Sequence, residues 1–104
     1  MTKPGEVYMV DLGLAGKVRM MVVMSRHDPD APRALSLCAP VTSSYRSSEY
    51  EVELPAMHFL RVKSYVNVQG LQAIQDHELG RMLGVIQGEA FERVKEALRW
   101  CMDL

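Results

Sequence analysis

Glu49-Tyr50-Glu51-Val52-Glu53-Leu54 alternates carboxylates with apolar side chains, the period of a β-strand with one face in water and the other on a core. Pro55 ends it. Outward toward the N-terminus, Glu6 to Leu12 is β-branched and aromatic and runs into Gly13 and Gly16, which punctuate a turn. Val18 to Ser25 is short and valine-rich, and Asp28-Pro29-Asp30-Ala31-Pro32 closes it. Arg33 to Thr42 resumes the apolar pattern, with Leu35, Leu37, Ala39 and Val41 predicted on one face, and dissolves into Ser43, Ser44, Ser47 and Ser48. Toward the C-terminus, Ser64 to Gln69 reads as a fifth strand and Leu71 to Ile74 as a short sixth. Then the period changes: Asp76 as an N-cap, Leu79, Met82 and Leu83 behind it and Gly84 as a stop predict a short helix. Phe91, Val94, Leu98 and Cys101, at spacings of three and four, predict a terminal amphipathic helix over Glu89 to Leu104. The expected fold is mainly β with a C-terminal helix, an α+β chain. About six short strands form a small, bent antiparallel sheet or barrel, with a short helix and the terminal helix packed on it.

The 104 residues fit one domain spanning 1–104. Hydrophobic residues at 48% and charged residues at 24% are those of a soluble globular protein. The formal net charge of -1 excludes a bulk positive field, so any nucleic-acid site must be local. The longest apolar run, Met20 to Met24, is far short of the ~20 residues of a membrane span. No apolar signal core follows Lys3, and a cytoplasmic location is expected. Cys38 and Cys101 lie apart without a CxxC and read as reduced thiols. His27, His58 and His77 are dispersed, so no metal site, cofactor or histidine catalyst is expected. The eight methionines read as adaptable core filler or a partner surface, and Trp100 as a core-rim or dimer-contact residue.

The second and third strands carry the chemistry. If they are antiparallel neighbours, pairing Met24 with Leu37 sets Arg19 opposite Thr42, with Cβ atoms roughly 5 Å apart. Pro40, which has no N–H to donate, is where a bulge would shift that register. A guanidinium offers fixed donors to a phosphate, and a hydroxyl beside it donates to a non-bridging oxygen or places the attacking group. RNA brings its own nucleophile, the 2′-OH, so positioning and charge stabilisation suffice to cleave it without metal. Lys17, Arg19, Arg26, Arg33 and Arg46 outnumber Asp28 and Asp30 across residues 12–47, consistent with a local basic groove. Tyr45 has a ring on which a base can stack, and Ser43 and Ser44 can hydrogen-bond to phosphate or base edges. Glu49, Glu51 and Glu53 are expected to be a strand's solvent face.

Gly5-Glu6-Val7-Tyr8-Met9-Val10-Asp11-Leu12, Arg19-Met20-Met21-Val22-Val23-Met24-Ser25, Ala39-Pro40-Val41-Thr42-Ser43 and Val68-Gln69 resemble the successive motifs of the MazF/PemK family of toxin endoribonucleases. The resemblance implies an SH3-like barrel with appended helices and a homodimer. It also implies metal-independent cleavage of single-stranded RNA at short sequences, and inhibition by a cognate antitoxin. It assigns the catalytic arginine to Arg19 and the catalytic threonine to Thr42, and places Gln69 near the RNA. The chain departs from the family pattern at Met20, where proline usually follows the arginine, in the short loop Gly13 to Val18, and at Val68, which replaces an acid. A non-catalytic module that binds antitoxin or RNA is the alternative to the enzyme.

Overall fold

The structure is a computed structural model that describes residues 1–13 and 18–104. Among the described residues, seven strands, β1 (Glu6–Asp11), β2 (Val18–Val23), β3 (Leu35–Thr42), β4 (Glu51–Glu53), β5 (Tyr65–Asn67), β6 (Gln72–Gln75) and β7 (Leu79–Val85), precede one α-helix, α1 (Gly88–Cys101). The sheet runs β4-β5-β3-β2-β1-β7, with β6 also on β3, and every pairing is antiparallel. The architecture is the expected one, mainly β with a C-terminal helix, but a seventh strand stands where the short helix was expected.

The difference has a physical cause. Relative to β1, β7 carries two register shifts, because Val7, Tyr8 and Val10 face Gly84, Met82 and Leu79 in turn. Bulges break the period of two and left Leu79, Met82 and Leu83 at helix-like spacing. Asp76 is not an N-cap: its carboxylate accepts the Ser36 hydroxyl at 2.6 Å, and the segment Asp76–Glu78 is a single 3-10 turn. Gly80 lies so close to β1 that a Cβ there would sit 2.8 Å from the Met9 carbonyl oxygen.

β3 is the hinge of the sheet. Its Leu35–Cys38 half pairs with β6 and its Val41–Thr42 end with β5, while its middle pairs with β2 as Val23↔Cys38, Val22↔Ala39 and Met21↔Pro40. Across that bend the buried side changes: Ser36 and Cys38 are buried before it, Ala39 and Val41 after it. Leu35 and Leu37 are therefore 41% and 44% exposed, which corrects the expectation that they share a core face with Ala39 and Val41.

Two apolar clusters sandwich the centre of the sheet. The larger joins Val7, Val22, Ala39, Val66 and Ile86 to Phe91 and Val94 of α1; the smaller packs Val10, Met21, Val23, Cys38 and Ile74 on the opposite face. Burial on both faces explains the uninterrupted run in β2, which an amphipathic strand would not show. Burial also pushes the Cys38 thiol up to about 11, so it stays protonated at neutral pH. Gly5, at φ +92°, closes the circuit: its N–H donates to Val23 and its carbonyl accepts from Ile86, each at 2.8 Å. Trp100 is half exposed and meets Tyr50 edge to face.

Candidate active site

The β2–β3 register is the predicted one: the Met24 N–H donates to the Leu37 carbonyl at 2.8 Å and Met21 faces Pro40. No bulge occurs at Pro40. The ladder ends there, however, two residues short of a rung between Arg19 and Thr42. Beyond it β2 stays with β1, where Arg19 pairs with Val10, whereas β3 turns to β5, where Thr42 pairs with Tyr65. The two strands splay, and the wedge between them opens into a cavity of about 800 Å³ lined by both Arg19 and Thr42.

The remaining walls come from Met9 of β1, from the segment 58–64 and from β7. Arg61 and Arg81 join Arg19 around the cavity, with His58 and no Asp or Glu among the described lining residues. None of the three guanidiniums makes an ion pair with a described carboxylate; the ion pairs among the described residues are Lys63 with Glu53, Arg93 with Glu89 and Lys95 with Glu92. The β7 bulges account for Arg81, Met82 and Leu83 all lining the cavity, since a regular strand turns alternate side chains away. Met20, Phe59 and Leu83 supply apolar wall beside the cations. Such a site attracts a phosphate, and its apolar surface suits a sugar or a base.

The Thr42 hydroxyl oxygen accepts the Ser44 N–H at 3.0 Å, an arrangement that folds the start of the serine loop back over the end of β3. Further along, the Glu51 carboxylate accepts the Arg46 N–H at 3.1 and 3.2 Å, the Ser48 N–H at 3.2 Å and the Ser48 hydroxyl at 2.7 Å. The Ser48 hydroxyl above all, with those two N–H groups, holds the carboxyl below the usual carboxylate range. Glu51 is thus the clamp of the 44–48 loop rather than one residue of an idle solvent face.

Of the residues expected to bind RNA, Ser43 and Ser44 line the cavity with Arg19 and Thr42. Tyr45 and Arg46 follow on the same loop, outside the cavity lining; Gln69 is exposed in the 3-10 turn Val68–Gly70, also outside it. Lys17 lies outside the described residues. Arg26 and Arg33 border a separate cavity with Asp28 and Asp76, so the expected groove does not assemble from them. Beside Arg19 its cations are Arg61, from the stretch between the predicted fourth and fifth strands, and Arg81, from the segment read as helix. The internal Gly80 was the signal against that helix.

The splayed strands of this small barrel hold an arginine-rich, hydroxyl-bearing cleft whose donors suit an anion. Residues 3–102 match the family of PemK-like, MazF-like toxins of type II toxin-antitoxin systems, and the chain belongs to that family. Among solved structures it is similar to an endoribonuclease in complex with its cognate antitoxin from a mycobacterial species, with 21% identity, 100% of this chain and 97% of that chain covered, and a TM-score of 0.86. It is similar also to the Mycobacterium tuberculosis toxin MazF-mt6, at 24% identity, 98% coverage of both chains and a TM-score of 0.82. A third similar structure is MazE-MazF from Deinococcus radiodurans, at 20% identity, with 99% of this chain and 96% of that chain covered and a TM-score of 0.80. At these identities the likeness is one of fold. No curated protein matches the chain significantly. No described helix is long and apolar enough to cross a membrane.

Proposed function

We propose that this chain is a toxin endoribonuclease that cleaves single-stranded RNA by internal attack, with Arg19 and Thr42 as its catalytic residues. The observation that carries the reading is the convergence of Arg19, Thr42, Arg61 and Arg81 on one cavity with no described carboxylate in its lining. In the reaction the 2′-oxygen bonds to the adjacent phosphorus and the bond from phosphorus to the 5′-oxygen breaks. The proton lost from the 2′-OH is balanced by one gained at the 5′-oxygen, so the products end in a 2′,3′-cyclic phosphate and a 5′-hydroxyl. Arg19 stabilises the charge that builds on the non-bridging oxygens. Thr42 already accepts the Ser44 N–H, which leaves its own proton to donate to one of those oxygens. Arg61 and Arg81 add charge for flanking phosphates, with Ser43 and Ser44 as neutral donors. Nucleophile and charge stabiliser are both in hand, so the step is metal-independent.

The reading includes a cognate antitoxin as protein partner, a homodimer and a cytoplasmic site of action. Family membership supports the reading, and the complex of a similar endoribonuclease with its antitoxin supports the first of the three. The exposed Leu35 and Leu37 on β3 offer apolar surface for a partner. The deciding experiment is incubation of the purified protein with mixed-sequence single-stranded RNA in excess EDTA. Cleavage that slows by about 10² to 10³ in Arg19→Ala is expected; intact RNA, or cleavage unaltered by that substitution, would overturn the assignment.

A further inference from the structure

The loop that leaves Thr42 ends in an aromatic stack that the chemistry above does not use. Tyr45 lies parallel on Tyr65, with ring centroids 4.3 Å apart and 5° between planes. Tyr65 is 7% exposed and Tyr45 is 50% exposed, so the pair is a fixed ring under a presented one. The position is tied to the candidate catalytic threonine twice over. Tyr65 is the residue opposite Thr42 in the β3–β5 ladder, and Tyr45 immediately follows Ser44, whose N–H is held by the Thr42 hydroxyl. On its other side the loop is anchored by the Arg46 N–H on Glu51. A half-exposed tyrosine on a surface loop ordinarily samples several rotamers, and ordering it on binding costs side-chain entropy. Here the stack and the two anchors have already ordered it.

We propose that Tyr45, backed by Tyr65, is a stacking shelf for a base of the single-stranded RNA next to the scissile phosphate. The inference rests on the endoribonuclease reading and extends it from phosphate chemistry to base recognition. A base is the matching ligand because the cleft beside the shelf is cationic and suits the backbone, while the ring offers a flat apolar face. Stacking accepts every base, so the shelf fixes which nucleotide is held without naming its identity. Tyr45 is on this account a positioning residue, and its hydroxyl is dispensable.

The test uses binding, which does not require cleavage. A single-stranded oligonucleotide that the wild-type protein cleaves is made with 2′-deoxy sugars throughout, together with versions lacking one base at a time. Wild type, Tyr45→Phe and Tyr45→Ala are titrated with each. Tyr45→Phe is expected to bind within about twofold of wild type and Tyr45→Ala roughly tenfold more weakly, the scale of one lost base stack. One abasic position, adjacent to the cut, should weaken wild type by a similar factor and weaken Tyr45→Ala no further. Unchanged binding by a folded Tyr45→Ala, or abasic losses that add to its own at every position, would overturn the shelf while leaving the nuclease intact. If wild type cleaves no RNA, the reading beneath the shelf falls with it.

Discussion

At Arg19 and Thr42 the two halves of the chemistry separate. Removing a preorganised charge stabiliser costs about 10² to 10³ in kcat, so Arg19→Ala should lose turnover by that factor while still binding uncleavable RNA through Arg61 and Arg81. Thr42→Val removes one donor to a charged oxygen, a loss of roughly ten- to a hundredfold. Thr42→Ser should recover most of it, a comparison read from single-turnover rates. Arg81→Ala acts on binding instead: the slope of log K against log salt for single-stranded RNA should fall by about 0.7, the share of one phosphate contact. Glu51 makes a prediction in pH. Its carboxyl ionises below the ordinary 4.5 in the folded chain, so the clamp on the 46–48 turn contributes in full above that value and is lost as pH falls through the lowered one. The difference in Tm between wild type and Glu51→Gln should therefore shrink steadily as pH is lowered from about 6 to about 3.

Among the elements, the barrel depends on the closure at Gly5. A Cβ there would overlap the Ile86 carbonyl oxygen, and φ is +92°. Gly5→Ala should cost about 2 to 3 kcal/mol, seen as a fall in Tm on the order of 10 to 20 °C with the 800 Å³ cavity's own residues untouched. The strands legible in the sequence were those whose local pattern matches their surroundings. In β4 the flanking acids Glu51 and Glu53 alternate with the buried Val52, and the Met24–Leu37 pairing posited for antiparallel neighbours is the one the sheet makes. What escaped the sequence are elements shaped by their neighbours. The two bulges in β7 appear only in its register against β1, and the change of buried side within β3 accompanies its passage from β6 and β2 to β5. Neither leaves a periodic trace. The same limits apply to the site: the β2–β3 register puts Arg19 and Thr42 on neighbouring strand ends that line one cavity without forming a rung, whereas Arg61 and Arg81 arrive through a loop path and a bulge, which only the folded chain specifies.

Taken whole, the molecule places a cationic cleft where its central sheet divides, on a chain whose net charge is only -1. Local concentration of arginines, not overall charge, is what would draw RNA to it. The proposed reaction makes the substrate's own 2′-OH the nucleophile in that cleft. Its most direct test is an RNA of mapped cleavage site in which the single 2′-OH at the cut is replaced by hydrogen. The prediction is no cleavage at that position while neighbouring sites remain sensitive, and, in the unmodified RNA, fragments ending in a 2′,3′-cyclic phosphate and a 5′-hydroxyl. Cleavage that persists at the deoxy position, leaving a 5′-phosphate, would mean that water attacks instead, and would contradict the roles given to Arg19 and Thr42.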